Sequence, residues 1–554
     1  MLDNEFVNYF LQSIFTDIYS HSIKIKTFMG KFSYYYNKDV IFVSTKTQTA
    51  LHNYKTLKRR IVIDGFLVGL GAGFFSVLYR LMLSELDGIR KMLFSTYSTE
   101  HILFLIVAFT LFACIVGLLI RWCPLSSGSG IPQIQGELLG ILKMNPISVL
   151  ISKFIGGGLG NLAGLSLGRE GPSIGGAVGK LLSKLLKRDI NEERFMISAG
   201  ASAGLAAAFN APISGTIFAL EEMHKNFSPL ILIPCLVASV VADYVSKNVF
   251  GLQSSFYFIS IPKSLPLFHY WHIVGIGVFS GLVGVLFNKV LLLGQDFHNI
   301  LPIPKPFRPI IAFLVSITLG FACYDVLGGG HALVEKITDS TFTLTALITL
   351  LILKLLFTSL SYGSSPQGGI FLPVLVLGAL SGVIYATFCQ QINLLDSVYI
   401  HNFIVLGMAG ILTAVVRSPI LSIMLVTEMA GTFSHMLSFC LVAIISYLVA
   451  EFLNSKPIYE SLLERLLANR MDTASEEEET DKVVTSLSIT SNMSVCNKAL
   501  REELFPKNVL IVSIKRGSKE FIPNGNTVIL PGDILTILCY KSELAEVKQM
   551  TLTL

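Results

Sequence analysis

The chain has 554 residues, 52% of them hydrophobic and only 14% charged, with a mean hydropathy of +0.65. Soluble domains carry about 25% charged residues, so this composition excludes an ordinary soluble protein and predicts one polytopic membrane body. The net charge of +5 is too small to point to a nucleic acid, and the eight cysteines form no CxxC pair, which argues against a disulfide framework or a zinc site.

Residues 1–59 mix polar and aromatic side chains without the short apolar core of a cleavable signal, and are expected to be a cytoplasmic or interfacial lead-in. Lys55, Lys58, Arg59 and Arg60 cluster before the first long apolar run, which favours a cytoplasmic N-terminus. Apolar runs follow near 61–86, 102–121, 146–165, 196–222, 228–248, 271–295, 308–327, 342–361, 369–391, 402–416, 419–430 and 435–454. Several are shorter than the ~20 residues of a straight span, and others contain glycine or proline. Short, interrupted helices predict half-spanning segments around a buried site.

Gly168-Arg169-Glu170-Gly171-Pro172 lies in such an interrupted stretch. An ionisable residue at membrane depth is costly and so marks a functional site. Flanking glycines and a proline suit a broken helix whose free N–H groups attract anions. Glu170 would then act as a tethered anion that alternates with a mobile one; its bland alternative is a turn in which it pairs with Arg169.

The chain also repeats. Lys153 stands 19 residues before Pro172, and Lys354 stands 19 before Pro373. Gly168–Pro172 aligns with Gly369-Ile370-Phe371-Leu372-Pro373; Leu205–Pro212 answers Leu412–Pro419, and Glu221 falls opposite Glu428. Paired interrupted segments in two halves point to a binding site at the repeat interface.

The composition changes near residue 468. Met471–Asp481 is polar and acidic, and 468–482 reads as a linker. Residues 483–554 read as a small soluble α+β module, with β-branched runs at 509–514, 528–530 and 534–538 and a Pro531-Gly532-Asp533 turn.

Over about 60–465 the residues resemble the CLC chloride channels and chloride/proton antiporters. The resemblance rests on Gly128-Ser129-Gly130-Ile131-Pro132, on Gly168–Pro172, on Gly369–Pro373, and on Tyr459 within Lys456-Pro-Ile-Tyr459. It implies an all-α membrane domain of 60–467 built from two inverted repeats with broken helices, in the plasma membrane, both termini cytoplasmic. It also implies a homodimer with one pore per subunit. Its substrates would be chloride, bound by Ser129, Tyr459 and the amides of Ile370 and Phe371, and protons. Hydroxyls and helix N-terminal amides replace a halide's water without holding it too tightly to leave. Taken alone, Ser129 also reads as a helix N-cap and Tyr459 as an interfacial anchor.

By the same resemblance Glu170 is the gating glutamate, Glu222 the inner proton acid of the exchangers, and Lys153 a supporting charge near the gate. Glu222 favours an exchanger over a passive channel; its bland alternative is a solvated helix end beside Glu221. Gln133 and Gln135 stand where many relatives carry acids, and Gly175-Gly176 follows closely enough on the motif to predict a shortened helix.

The last module resembles the TrkA-C (RCK_C) domains of potassium-transport regulators through Leu510-Ile511, Arg516, Phe521–Gly525 and Pro531–Asp533. That resemblance implies a two-fold groove for a nucleotide such as cyclic di-AMP. Arg516 would meet phosphate, with Leu510, Ile511, Ile522 and Pro523 around the bases; the alternative is a purely structural dimerisation module. The whole reads as a chloride/proton antiporter that performs no covalent chemistry and carries no cofactor or metal. The rivals are a passive channel, a fluoride-selective relative, and a membrane-anchored nucleotide receptor with a vestigial pore.

Overall fold

The computed structural model describes residues 45–95, 98–169, 171–252, 256, 265–339, 342–431 and 433–471 of the membrane body. Of the C-terminal part it describes 482–489, 493, 495–502, 505–506, 508–516, 519–540 and 543. Glu170, most of the lead-in and the acidic segment 472–481 lie outside the described residues.

The first half comprises α1 (Thr45–Leu93), α2 (Thr99–Trp122), α3 (Ile131–Leu138), α4 (Pro146–Leu162), α5 (Gly171–Leu185), α6 (Ile190–Phe209), α7 (Pro212–Ile217) and α8 (Pro229–Phe250). The second comprises α9 (Trp271–Ile300), α10 (Pro309–Ala322), α11 (His331–Asp339), α12 (Leu344–Gly363), α13 (Phe371–Gln391), α14 (Ile400–Val416), α15 (Pro419–Ala430) and α16 (Met436–Phe452). A further helix, α17 (Ile458–Met471), follows. Among the described residues eight helical segments are long and apolar enough to cross a membrane. Most are half buried or less, but the windows in α13 and α14 are 83% and 78% buried, which places this pair at the centre.

Local chemistry sets these boundaries. Ser98, Asn145, Asp189, Ser228 and Thr343 each accept a hydrogen bond from the first turn of the helix they cap. The apolar run 196–222 is not one helix. Asn210 turns left-handed (φ 54°) and Pro212 restarts the chain as α7; Arg417 (φ 68°) and Pro419 repeat the device before α15. At the other end of the body, α1 reaches back to Thr45 rather than starting at residue 60.

The halves are stitched reciprocally. The Gly128 amide donates to Pro366 O (2.9 Å) and the Gly368 amide to Gly128 O (3.1 Å). In the second half the Gly328 amide donates to Gly164 O (2.8 Å). Buried Lys153 donates to Gly128 O (2.5 Å) and buried Lys354 to Gly328 O (2.6 Å) and Val326 O (2.9 Å). Reciprocal contacts of this kind are what a two-fold relation requires. Gly168 and Gly369 form an antiparallel bridge at the starts of α5 and α13, so the two chains pass this point in opposite directions and the repeats are inverted. The acids aligned in sequence complete the pattern. Glu428 accepts from the amides of Ile213 (3.0 Å) and Ser214 (2.8 Å) at the start of α7, and Glu221 from those of Ile420 (3.1 Å) and Leu421 (2.6 Å) at the start of α15.

Small residues bring the central helices together. A Cβ on Gly175 of α5 would lie 1.9 Å from Gly200 O of α6, and one on Gly382 of α13 would lie 1.9 Å from Phe403 O of α14. α5 has 15 residues where its counterpart α13 has 21.

The C-terminal module contains β1 (Lys482–Ser488), β2 (Leu510–Arg516), β3 (Lys519–Phe521) and β4 (Asp533–Tyr540) in one antiparallel sheet of order β1-β4-β2-β3. A 3₁₀ turn at Leu500–Glu502 accompanies the sheet. Val528–Leu530 is not a strand: Val528 makes a single bridge to Ala499. The inner face packs Leu487, Ile514, Leu535, Ile537 and Cys539. Arg516 donates to both carboxylate oxygens of buried Asp533 (2.8 Å each) and to Val528 O (2.7 Å). Hydrogen bonding from Arg516 pulls the Asp533 carboxyl below its ordinary value.

Two outcomes follow. Gly175→Val separates α5 from α6 and is expected to cost about 3 kcal/mol or more, read as a lowered melting temperature in detergent. The Asp533 contribution is complete above about pH 4, the ordinary carboxyl range, and is lost as pH falls through its lower folded value. Hydrogen-exchange protection of β2 in the full chain, corrected for intrinsic rates, is expected to hold steady above about pH 4 and to fall as pH is lowered further. Arg516→Gln is expected to weaken that dependence.

Candidate anion and proton sites

Three cavities follow one another through the centre of the membrane body. One, of about 390 Å³, lies against Gly168, Arg169 and Gln367. A second, of about 340 Å³, lies against Ser127, Gly128 and Pro132. Between them is a cavity of about 10 Å³ lined by Ser129, Ile131, Arg169, Pro172, Leu205, Phe209, Gly369, Phe371 and Tyr459. That volume admits the centre of about one water-sized particle. Arg169 lines both this cavity and the first, and its Nη1 donates to Ala208 O (3.4 Å).

The small cavity gathers residues from distant parts of the chain. Ser129 comes from the loop before α3, where Gly130 turns left-handed (φ 79°) so that the chain can enter the helix. Its Oγ accepts from the Ile131 amide (3.4 Å), so the serine hydroxyl hydrogen is not used in that bond. Phe371 opens α13 directly after Ile370, its N-terminal cap, and both are buried. The first amides of a helix have no partner within it, and they carry its positive dipole end. Tyr459 is fully buried near the start of α17. Polar hydrogens and helix-start amides around a space of this size suit a small dehydrated anion. Lys153 does not line the cavity; its ammonium holds the Gly128 carbonyl one residue before Ser129.

Glu222 lies apart from that cavity. It sits in a π-helical turn, Phe218–Met223, that continues α7, and it is 2% exposed. Extra-residue turns of this kind re-aim side chains and often occur at functional positions. The carboxylate accepts from Ser418 Oγ (2.7 Å) and from Gln135 Nε2 (3.3 Å), which also donates to Glu222 O (3.0 Å). Glu222 is therefore a buried, hydrogen-bonded acid and not a solvated helix end, while its neighbour Glu221 caps α15. Each acid holds a different element.

Ser418 and the role of Lys354 were not expected from the sequence. The signal for Lys354 was present: Gly328-Gly329-Gly330 stands 200 residues after Gly128-Ser129-Gly130, and each loop is held by the lysine of its own half. Ser418 had only its place before the restart proline Pro419 to mark it.

In the C-terminal module, Leu510 (60% exposed) and Ile522 (86% exposed) lie open to solvent. Arg516 differs from expectation: its Nε and Nη2 are taken by Asp533, because the buried carboxylate in the Pro531–Asp533 turn needs a partner.

Residues 111–451 match the family model described as voltage gated chloride channel, and residues 484–551 match that of the TrkA-C domain. The chain is 34% identical over 367 residues to the H(+)/Cl(-) exchange transporter ClcA of Vibrio campbellii (strain ATCC BAA-1116), covering 63% of this chain and 76% of that protein. To the protein of the same name from Yersinia pestis it is 32% identical over 366 residues, covering 63% and 75%. Among solved structures, a slow cyanobacterial Cl⁻/H⁺ antiporter superposes with a TM-score of 0.69 at 28% identity, covering 74% of this chain and 98% of that one. A CLC-type fluoride/proton antiporter shares the fold, with a TM-score of 0.61 at 22% identity over 75% and 98% of the two chains. The chain belongs to the voltage gated chloride channel family, as a multi-pass membrane protein whose helical body is followed by a TrkA-C domain.

Proposed function

We propose that this protein exchanges chloride for protons across the cell membrane. The observation that carries the reading is the separation of two sites: an anion-sized cavity at Ser129, Phe371 and Tyr459, and the buried acid Glu222 beyond its lining. A buried carboxyl held by Ser418 and Gln135 offers a proton a binding place off the anion lining. Chloride takes hydroxyl hydrogens from Ser129 and Tyr459 and the amides of Ile370 and Phe371. Glu170, the gating glutamate of the resemblance, passes a proton between the anion path and Glu222. The relatives named as H(+)/Cl(-) exchange transporters support the same reading. In this scheme the protein works as a homodimer with both termini in the cytoplasm.

We propose further that the TrkA-C domain regulates transport by binding a nucleotide such as cyclic di-AMP. Exposed Leu510 and Ile522, with Ile511 and Pro523 nearby, offer apolar contact for bases. Arg516 keeps its Nη1 for a phosphate while Asp533 holds the rest of the guanidinium.

Chloride and pH followed together in proteoliposomes test the first reading. Wild type is expected to move protons uphill against a chloride gradient. Glu170→Gln and Glu222→Gln are each expected to lower proton flux by about a hundredfold or more while chloride flux persists. Proton pumping that survives in both variants rejects the assignment. Calorimetry on the full-length protein tests the second: cyclic di-AMP is expected to bind at micromolar concentration and Arg516→Ala to weaken it about tenfold. Absence of heat with the wild type rejects that ligand.

A further inference from the structure

Lys225 and Glu460 form an ion pair between the end of the Glu222 turn and α17. The two residues are next to functional positions on different elements: Lys225 follows Glu222 by three residues, and Glu460 directly follows Tyr459. Lys225 is held in a left-handed conformation (φ 49°) just after the turn. Both side chains are partly exposed, at 43% and 38%, so the pair sits where solvent meets the buried acid. The Lys225 ammonium also acts through space on the Glu222 carboxylate.

The other charged groups on elements packed against this turn have different attachments. Glu221 and Glu428 cap α15 and α7. On α8, Asp243 pairs with Lys247; on α3, Glu137 pairs with Lys180, and the nearer Gln135 is neutral. Arg194 of α6 faces His224, which bonds Ser198. Arg417, beside Ser418, is bound by Glu451, and Lys456 at the entrance to α17 is bound by Glu464. Among the described cations, Lys225 is the one that acts on the Glu222 carboxylate, and its ion-pair partner is on the helix that carries Tyr459.

We propose that the Lys225–Glu460 pair controls proton loading of Glu222: Glu460 holds the ammonium and so sets how much positive charge the buried acid meets. Lys225 and Glu460 are positioning residues that act through Glu222. Because Glu460 adjoins Tyr459, a shift of α17 when an anion engages Tyr459 alters the same charge. The inference rests on the exchange reading above and deepens it.

The signs follow from Coulomb's law. A cation near a carboxylate favours its ionised form, and a like charge favours its protonated form. Glu460→Gln frees the ammonium to approach Glu222, so loading needs a higher proton concentration. Lys225→Met removes the cation and leaves Glu460 as an uncompensated anion, with the opposite effect. The experiment is proton-coupled chloride flux in proteoliposomes at symmetric pH from 4.5 to 8. Glu460→Gln is expected to move the half-maximal point about one pH unit down and Lys225→Met about as far up, while Lys225→Arg follows wild type. A structural role alone would lower amplitude without opposite shifts. Glu460→Ser replaces Glu460→Gln should the latter fail to fold. Variants that leave the profile unmoved, or move it in the same direction, overturn the proposal while wild-type exchange stands. A wild type that moves chloride without protons overturns the exchange reading and this inference with it.

Discussion

Everything in the membrane body depends on the hydrogen bonds that satisfy its broken helices. Irregular backbone inside a membrane is tolerated only where its polar groups find partners in the protein or in a water-filled cavity. Here the partner of each break lies in the opposite half: the loop at Gly128 bonds to 366–368, the loop at Gly328 bonds to Gly164, and Gly168 donates to Gly369 O. A buried lysine then secures each glycine loop from within its own half. An ammonium in such surroundings is costly unless fully hydrogen-bonded, and the carbonyls it takes are those the break leaves behind. Each half's interruptions are completed by backbone groups of the other, so the repeat interface and the fold are the same problem.

The functional geometry follows from that arrangement. Helices that stop at the centre present their N-terminal ends there, and the interior that they leave is small between two wide cavities. The close packing of α5 on α6 and of α13 on α14, at distances only glycine permits, keeps it small. The pseudo-symmetry is then broken where chemistry requires it. Glu221 and Glu428 are equivalent caps, but the first-half turn contains a π-helical segment that buries Glu222 against Ser418 and Gln135, while α15 stays regular. Tyr459 has no counterpart in the repeat, because α17 follows the second half alone.

That last helix joins several parts of the molecule. It supplies Tyr459 to the small cavity, Glu460 to Lys225, and Arg465 to Asp296 of α9 in a two-point ion pair (2.6 and 3.0 Å). It also leads toward the segment that connects to the C-terminal sheet. A change in α17 therefore bears on the small cavity and, through Lys225, on the turn that holds Glu222, as the proposed exchange would require of a shared element.

The sequence by itself determined the class of the protein, the breaks and their pairing. Composition set the membrane body; Pro212 and Pro419 set two restarts; the aligned Glu221 and Glu428 marked equivalent positions, since local restarts and apolar length depend on nearby residues alone. Tertiary structure decided what those positions touch. Glu221 caps the helix of the other half while adjacent Glu222 turns inward, a distinction that one extra residue per turn creates and that two neighbouring glutamates cannot reveal in sequence. Arg516 faces Asp533 because a strand register places them opposite one another, 17 residues apart. The anion cavity joins residues more than 300 positions apart, from Ser129 to Tyr459, and only the packing of the two halves brings their hydroxyls to one space.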